Sequence, residues 1–297
     1  MSIAMTVYKT QATGNDFVMF EDADGAFDPQ PKEVAKICDR HFGIGADGLI
    51  RVTRPQHVKD ISDEDLKACA DAHVEWFMDY RNADGSIAQM CGNGSRATAL
   101  FIRTMHGIGG GGPLKLGTRA GVKELTPMPD DDELGAHVFR VDMGAWKTGD
   151  EDAHTVTVAG APGEGKGTFV DMGNPHIVVV VEDAFSTLPV LEDLDLSRPP
   201  VVVPAIEEGQ NVEFVRIDEI DGAEDRGEAT MRVHERGCGE TLSCGTGLCA
   251  TAVVLHAKTG VNHWRITVRG GKVDVDVTGD DVMLTGPAAI VAKAELL

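Results

Sequence analysis

No stretch of this chain approaches the ~20 consecutive apolar residues of a membrane span, and its first residues carry no basic segment followed by an apolar one. The sequence therefore reads as cytoplasmic. Positive charge is also scarce: 27 lysines and arginines face 48 aspartates and glutamates in 297 residues, a formal net charge of −21. That balance argues against nucleic acid or an anionic membrane surface as a partner. The acidic residues gather at Glu21 to Asp28, Asp130 to Glu133, Asp150 to Asp152 and Glu182 to Asp195, stretches that read as loops of a solubilising, self-repelling surface. Six cysteines in a chain of this length do not make a disulfide scaffold, and their spacing offers no paired CxxC for zinc, so no metal site is expected. Gly109 to Gly112 is not followed by Gly-Lys-Ser/Thr, which excludes a phosphate loop. No lysine sits in a context that would anchor pyridoxal phosphate, and no cofactor is expected.

The information lies instead in Val233 to Val254, VHERGCGETLSCGTGLCATAVV. A charged pair, Glu235-Arg236, closes a strand-like segment. A glycine-broken turn then leads through Cys244-Gly245-Thr246-Gly247 into an alanine-rich apolar run that reads as a buried helix. Cys244 falls at or just before a helix N-terminus, where unpaired amides and the helix dipole favour an anion. The same reasoning predicts a thiol shifted toward thiolate.

The arrangement occurs twice. Met90-Cys91-Gly92-Asn93-Gly94 precedes a second alanine-bearing run. A shift of about half the chain superposes Cys91 on Cys244, Gly92 on Gly245, Gly94 on Gly247 and Ala97-Thr98-Ala99 on Ala250-Thr251-Ala252. Asn82 then falls on Glu235. Upstream, Gly14-Asn15-Asp16 and Gly173-Asn174-Pro175-His176 precede the two cysteines by similar intervals. The chain is read as an internal duplication with one thiol at a helix start in each half. A site where the halves meet suits removal of a proton from one face of a carbon and delivery of another to the opposite face. Helix N-termini aimed at a carboxylate would stabilise the charge that develops.

At 297 residues two domains are expected, with a boundary near Ala136. Thr6 to Thr10, Phe17 to Phe20, Trp76 to Arg81, Val138 to Met143, Ile177 to Val181, Glu213 to Ile217 and Thr230 to Val233 read as strands, and Pro31 to Arg40 as a short helix. Arg54 to His73, polar, acidic and without clear strand period, reads as an insertion packed on the surface. Many short strands with one apolar helix per half make the class α+β, an α+β domain built twice.

The motifs as a set resemble the diaminopimelate epimerase family: TGNDF at Thr13 to Phe17, GIGADG at Gly43 to Gly48, RNADGS at Arg81 to Ser86 and MCGNGSR at Met90 to Arg96. MGNPH at Met172 to His176, ERGCGET at Glu235 to Thr241 and SCGTG at Ser243 to Gly247 follow in order. The resemblance implies two pseudo-symmetric domains, each a curled mixed sheet around a central helix. They would comprise residues 1–136, with the last dozen (about 286–297) returning to them, and residues 137–285. It implies a cofactor-independent epimerase interconverting LL- and meso-diaminopimelate, in lysine and peptidoglycan precursor biosynthesis, acting as a homodimer. By family convention Cys91 is the proton donor and Cys244 the acceptor, with His176 near the first thiol and Glu235 near the second, tuning their proton affinities. Substrate contacts are implied for Asn15, Asn82, Asn174, Asn211, Glu235 and Arg236, and for the backbone amides of Gly92, Asn93, Gly245 and Thr246. One departure is Gly48, where many relatives carry glutamine.

For single residues a plainer reading stands beside each of these. A lone cysteine is usually a small buried hydrophobe, and Cys238 and Cys249, which lack partners in the repeat, are read that way. Asparagine is a common turn residue. A racemase for another amino acid keeps the fold and changes the substrate. A non-catalytic amino-acid-binding protein would have no use for two thiols.

Overall fold

The computed structural model describes residues 3–297. The chain divides into two compact units, Met1–Val141 with Gly286–Leu297, and Asp142–Thr285. The division falls at Val141 rather than at Ala136, because the strand that begins at Val138 stays paired to the first unit as far as Val141.

In the first unit β1 (Thr6–Ala12) and β2 (Asn15–Asp22) form a hairpin, followed by α1 (Pro31–Cys38), β3 (Gly48–Thr53), α2 (Asp63–Asp71) and β4 (Trp76–Asn82). Then come α3 (Gly92–Met105), β5 (Leu114–Thr118), β6 (Gly121–Pro127) and β7 (Val138–Gly144). Proline opens α1, where its missing amide costs nothing. The insertion at 54–73 carries a helix, α2, that the sequence reading did not single out. Ser62 caps α2 by accepting from the Asp65 amide, and Asp63, Glu64 and Asp65 complement the dipole of its first turn. Cys69 anchors that helix over Phe77 and Val58. One apolar contact every few residues suffices for a helix lying on a surface, so the acidic composition of α2 hid its helical period.

The second unit continues with β8 (Lys147–Thr148), β9 (His154–Thr157), β10 (Gly165–Asp171), β11 (Pro175–Val180), β12 (Val201–Val203), β13 (Asn211–Asp221) and β14 (Arg226–Glu235). It ends with β15 (Gly239–Thr241), α4 (Gly245–Thr259), β16 (His263–Val268), β17 (Gly271–Thr278) and β18 (Asp281–Pro287). The chain closes on β19 (Ala289–Glu295), which pairs antiparallel with β1 in the first unit.

The duplication is visible in strand polarity. From β1 to β7, successive neighbours pair antiparallel, parallel, antiparallel, parallel, antiparallel and antiparallel. Through β10, β11, β13, β14, β16, β17 and β18 the same series repeats. The helix after the fourth strand is α3 in one unit and α4 in the other. β19 takes beside β1 the place that β9 takes beside β10. Each sheet curls around its helix. α3 touches β1 through β6 and β19, and α4 touches β10, β11, β13 and β17. α4 is apolar on all sides, with Leu248 to Leu255 wholly buried, as a helix enclosed by its own sheet must be.

Candidate active site

The cysteines occupy the same local position in both units. Each is the N-cap of its unit's enclosed helix, in extended conformation (φ −142° at Cys91, −120° at Cys244). The N-cap Cys91 Sγ accepts from the Gly94 amide at 3.3 Å, as a serine or aspartate would at such a cap. At Cys244 the equivalent Gly247 amide acts on the sulfur without closing a cap bond. That sulfur lies 3.6 Å from the Thr246 hydroxyl. In the first turn of α4 the Gly245 and Thr246 amides have, by helix geometry, no intrahelical acceptor, and the Gly92 amide opens α3 in the same way.

Around Cys91 the first unit places amides. Asn15 Oδ1 accepts from the thiol at 3.5 Å and from Asn93 Nδ2 at 3.4 Å. The other end of Asn15 donates to Asp47 at 2.7 Å. A carboxylate only accepts, so Asp47 fixes which end of the Asn15 amide faces the sulfur. Behind it, Asp16 is ion-paired to Lys9 and to Arg40 at 2.7 Å. Burial works against ionisation of Asp16, but the bonds from Arg40 and Lys9 outweigh it and hold its carboxyl at about 2. Asn93 is fully buried, and its side chain accepts from Arg96 at 2.8 Å. Its side chain thus braces the start of α3. Asn82 donates to Ser86 at 3.0 Å. Gly48 has no room for a side chain: a Cβ would lie 2.5 Å from the Tyr80 ring and 2.5 Å from the Arg81 carbonyl oxygen. Tyr80 packs edge-on against Phe17 and fills the space a glutamine would need.

Around Cys244 the second unit places acids. Glu235 ends β14, and its carboxyl accepts from the Thr241 hydroxyl. Burial pushes the Glu235 carboxyl up, against the pull of Thr241 and of the Cys244 thiol. The Cys244 thiol is itself raised well above an ordinary cysteine, first by burial and then by the charges of Glu235 and Glu213. The Thr246 hydroxyl and the Gly247 amide work the other way and lose. The sequence reading, which set only the helix dipole against an ordinary thiol, pointed toward thiolate. Enclosure by the sheet reverses the sign, because a dipole worth up to ~2 kcal/mol does not offset removal of the charge from water beside two carboxyls.

His176 is fully buried, with Nδ1 2.7 Å from Glu213 Oε1 and Nε2 3.1 Å from Asn174 Oδ1. The resemblance gave His176 to the first thiol. Within its own unit both ring nitrogens already have partners. Asn211 is similarly committed: it donates to the Pro175 carbonyl at 3.2 Å and accepts from the Arg236 amide at 2.9 Å. It thereby ties β13 to β11 and to the turn that carries Arg236. The Arg236 side chain is exposed and donates to the Glu208 carbonyl at 2.8 Å. The fork is therefore held by backbone oxygens and not by Glu235.

Glu213 is the residue that sequence reasoning missed. It sits in a run, NVEFV, whose alternation is that of any half-buried strand. Its one signal was a carboxylate at a position facing inward. Gly247 follows from it: a Cβ there would lie 2.4 Å from Glu213 Oε1. Among the described residues no cluster of three or more His, Cys, Asp or Glu has a geometry that could hold a metal. No helix among them is long and apolar enough to cross a membrane.

The family model for diaminopimelate epimerase matches residues 7–148 and 168–291, one span in each repeat. The diaminopimelate epimerase of Corynebacterium glutamicum (strain R) is 39% identical over 299 residues, covering 100% of this chain and 99% of that protein. That of Thermobifida fusca is 38% identical and that of Mycolicibacterium smegmatis 39%, each over 98% of this chain. Among solved structures, a phenazine biosynthesis protein of the PhzF family from Bacillus anthracis superposes with a TM-score of 0.66 at 16% identity over 99% of both chains. A hydroxyproline epimerase from Agrobacterium vitis superposes with 0.65 at 15% identity, over 100% of this chain and 92% of that one. These likenesses show that the chain shares its fold with those two proteins. The full-length identity and the doubled match go further, and the chain belongs to the diaminopimelate epimerase family.

Proposed function

We propose that this protein interconverts LL- and meso-diaminopimelate without a cofactor, by proton transfer between two cysteines and the α-carbon. The observation that carries the reading is the pair of N-cap cysteines, one at the start of the enclosed helix in each repeat. Binding alone needs neither thiol.

In the LL-to-meso direction the Cys244 thiolate takes the α-hydrogen. The C–H bonding pair stays on carbon, delocalised toward the substrate carboxylate. The Cys91 thiol then delivers its proton to the other face, which forms the new C–H bond and leaves Cys91 as thiolate. Proton count and charge balance, and the reverse direction exchanges the roles. First-turn amides of Gly92, Asn93, Gly245 and Thr246 receive the carboxylate, where the charge develops, as helix N-termini are suited to do. Glu235 and Arg236 meet the ammonium and carboxylate of the non-reacting end, and Asn15, Asn82, Asn174 and Asn211 complete the polar lining. Asn211 acts mainly by holding the Arg236 turn. The enzyme works as a homodimer in the cytoplasm, on lysine and peptidoglycan precursors.

The test is incubation of metal-free protein with LL-diaminopimelate in deuterated water. The expected result is stereoinversion with deuterium entering the α-position. Exchange with another amino acid and none with diaminopimelate would move the assignment to a racemase of that substrate. Retention of full activity in a dimer-breaking variant, or in a monomer at nanomolar concentration, would remove the dimer from the reading.

A further inference from the structure

One buried pair in the second unit has no counterpart in the first. β2 pairs with β3 so that Phe17 faces Gly48, and β11 pairs with β13 so that His176 faces Asn211. Two residues further along the partner strand, on the same face, stand Ile50 and Glu213. The equivalent of the His176–Glu213 pair is thus Phe17 with Ile50, all four side chains fully buried. Both partner residues lie against the start of their enclosed helix. A Cβ on Gly94 would meet Ile50 Cδ1 at 3.2 Å, and a Cβ on Gly247 would meet Glu213 Oε1 at 2.4 Å.

An apolar pair is the inexpensive way to fill such a position, as the first unit shows. Burying an acid and an imidazole instead costs free energy, and Glu213 Oε2 is enclosed with no hydrogen-bond partner among the described residues. The arrangement has a chemical use. A carboxylate on Nδ1 accepts its hydrogen and fixes the imidazole tautomer, leaving Nε2 directed at Asn174, whose amide can turn to suit it. The charged and titratable groups facing Cys244 are Glu235 from β14, Glu213 from β13 and, beside them, His176 from β11. The buried residues that β10 and β17 contribute near α4 are Thr168, Val170, Val273, Val275 and Val277, with glycines, and none titrates.

We propose that Glu213 is a positioning residue of the second thiol. It fixes the tautomer of His176 and sets a negative charge beside the first turn of α4. Cys244 therefore keeps its proton in the free protein and, once deprotonated, is a strong base toward a carbon-bound hydrogen. The use assigned to that basicity rests on the epimerase reading above. Removing hydrogen from carbon demands a base of high proton affinity, and the direction found for the Cys244 thiol agrees.

The test reads the thiols without substrate. In protein carrying ¹³Cβ-labelled cysteine, the Cys244 and Cys91 signals, assigned through their serine variants, are titrated by NMR. In the unmodified protein the Cys244 midpoint should lie above the ordinary ~8.5. In Glu213→Gln it should fall by about one pH unit or more while Cys91 does not move. Should Glu213→Gln not fold, the double substitution His176→Phe with Glu213→Ile copies the apolar pair of the first unit, an exchange that buried ion pairs often tolerate. The same fall is expected there. A wild-type midpoint at or below ~8.5, a Cys244 signal unmoved in either folded variant, or both thiols shifting together would overturn the proposal. Failure to epimerise diaminopimelate would instead overturn the function and leave the titration standing.

Discussion

The two cysteine-bearing helix starts share a backbone and differ in the side chains around the sulfur. Cys91 is half-buried, capped by the Gly94 amide and bonded to a neutral amide whose direction Asp47 sets. Cys244 is buried, closes no cap bond, and has Glu235 and Glu213 as charged neighbours, with His176 behind Glu213. A helix N-terminus by itself therefore does not decide the state of a thiol. The same dipole sits behind both, and the neighbours from adjacent strands set the balance. Duplication supplied the two-fold plan, and divergence at Phe17/His176, Ile50/Glu213 and Asn82/Glu235 gave the two cysteines unlike surroundings.

The sharpest way to break the comparison is to remove one sulfur at a time. Cys91→Ser and Cys244→Ser should each lower the rate of full inversion by roughly 10²–10⁴-fold, the range expected for loss of a general acid or base. Near-normal kcat in either variant, followed by circular dichroism or coupled assay, would end the two-base description. A smaller effect is expected at the far end of the substrate. Arg236→Met should raise KM for diaminopimelate roughly 10–100-fold, the weight of one charge-assisted hydrogen-bonded contact. Unchanged kcat/KM would place the distal carboxylate elsewhere.

Two further substitutions compare the units as structures. Gly247→Ala pushes a methyl group against a carboxylate held by His176 and should destabilise by about 1–3 kcal/mol. Gly94→Ala meets an isoleucine methyl at 3.2 Å, with Cys91 Cβ and Phe17 Cζ at ordinary contact distance, and helix propensity repays part of the strain. Equal midpoints for the two variants in urea would show that Glu213 yields as readily as Ile50. The smallest effect concerns acid. Asp16 titrates at about 2 in the folded protein, well below the ordinary ~3.9. A depressed carboxyl contributes stability that is present above the unfolded value and lost as pH falls through the folded one. Arg40→Met should therefore move the acid-unfolding midpoint upward between about pH 4 and 2, by a few tenths of a unit. A midpoint that stays put in a pH titration of near-UV signal would show that Lys9 alone holds Asp16.

The linear sequence by itself determined the duplication, the α+β class, the position of both cysteines at helix starts and the glycines around them. These features are local. A tight turn into an apolar helix needs glycine and small residues at fixed offsets, and repetition of those offsets needs no knowledge of the fold. The capping of α2 was also written locally, in Ser62 and Asp65, although a polar surface masked it. What only the tertiary structure decided depends on neighbours distant in sequence. The parallel register of β11 with β13 brings Glu213 onto His176 from 37 residues away. Tyr80 closes the space over Gly48 from the next strand, and β19 returns to flank β1. Whether Cys244 holds its proton belongs to this second group, because burial and the charge of adjacent strands are properties of the assembled sheet and of no single segment.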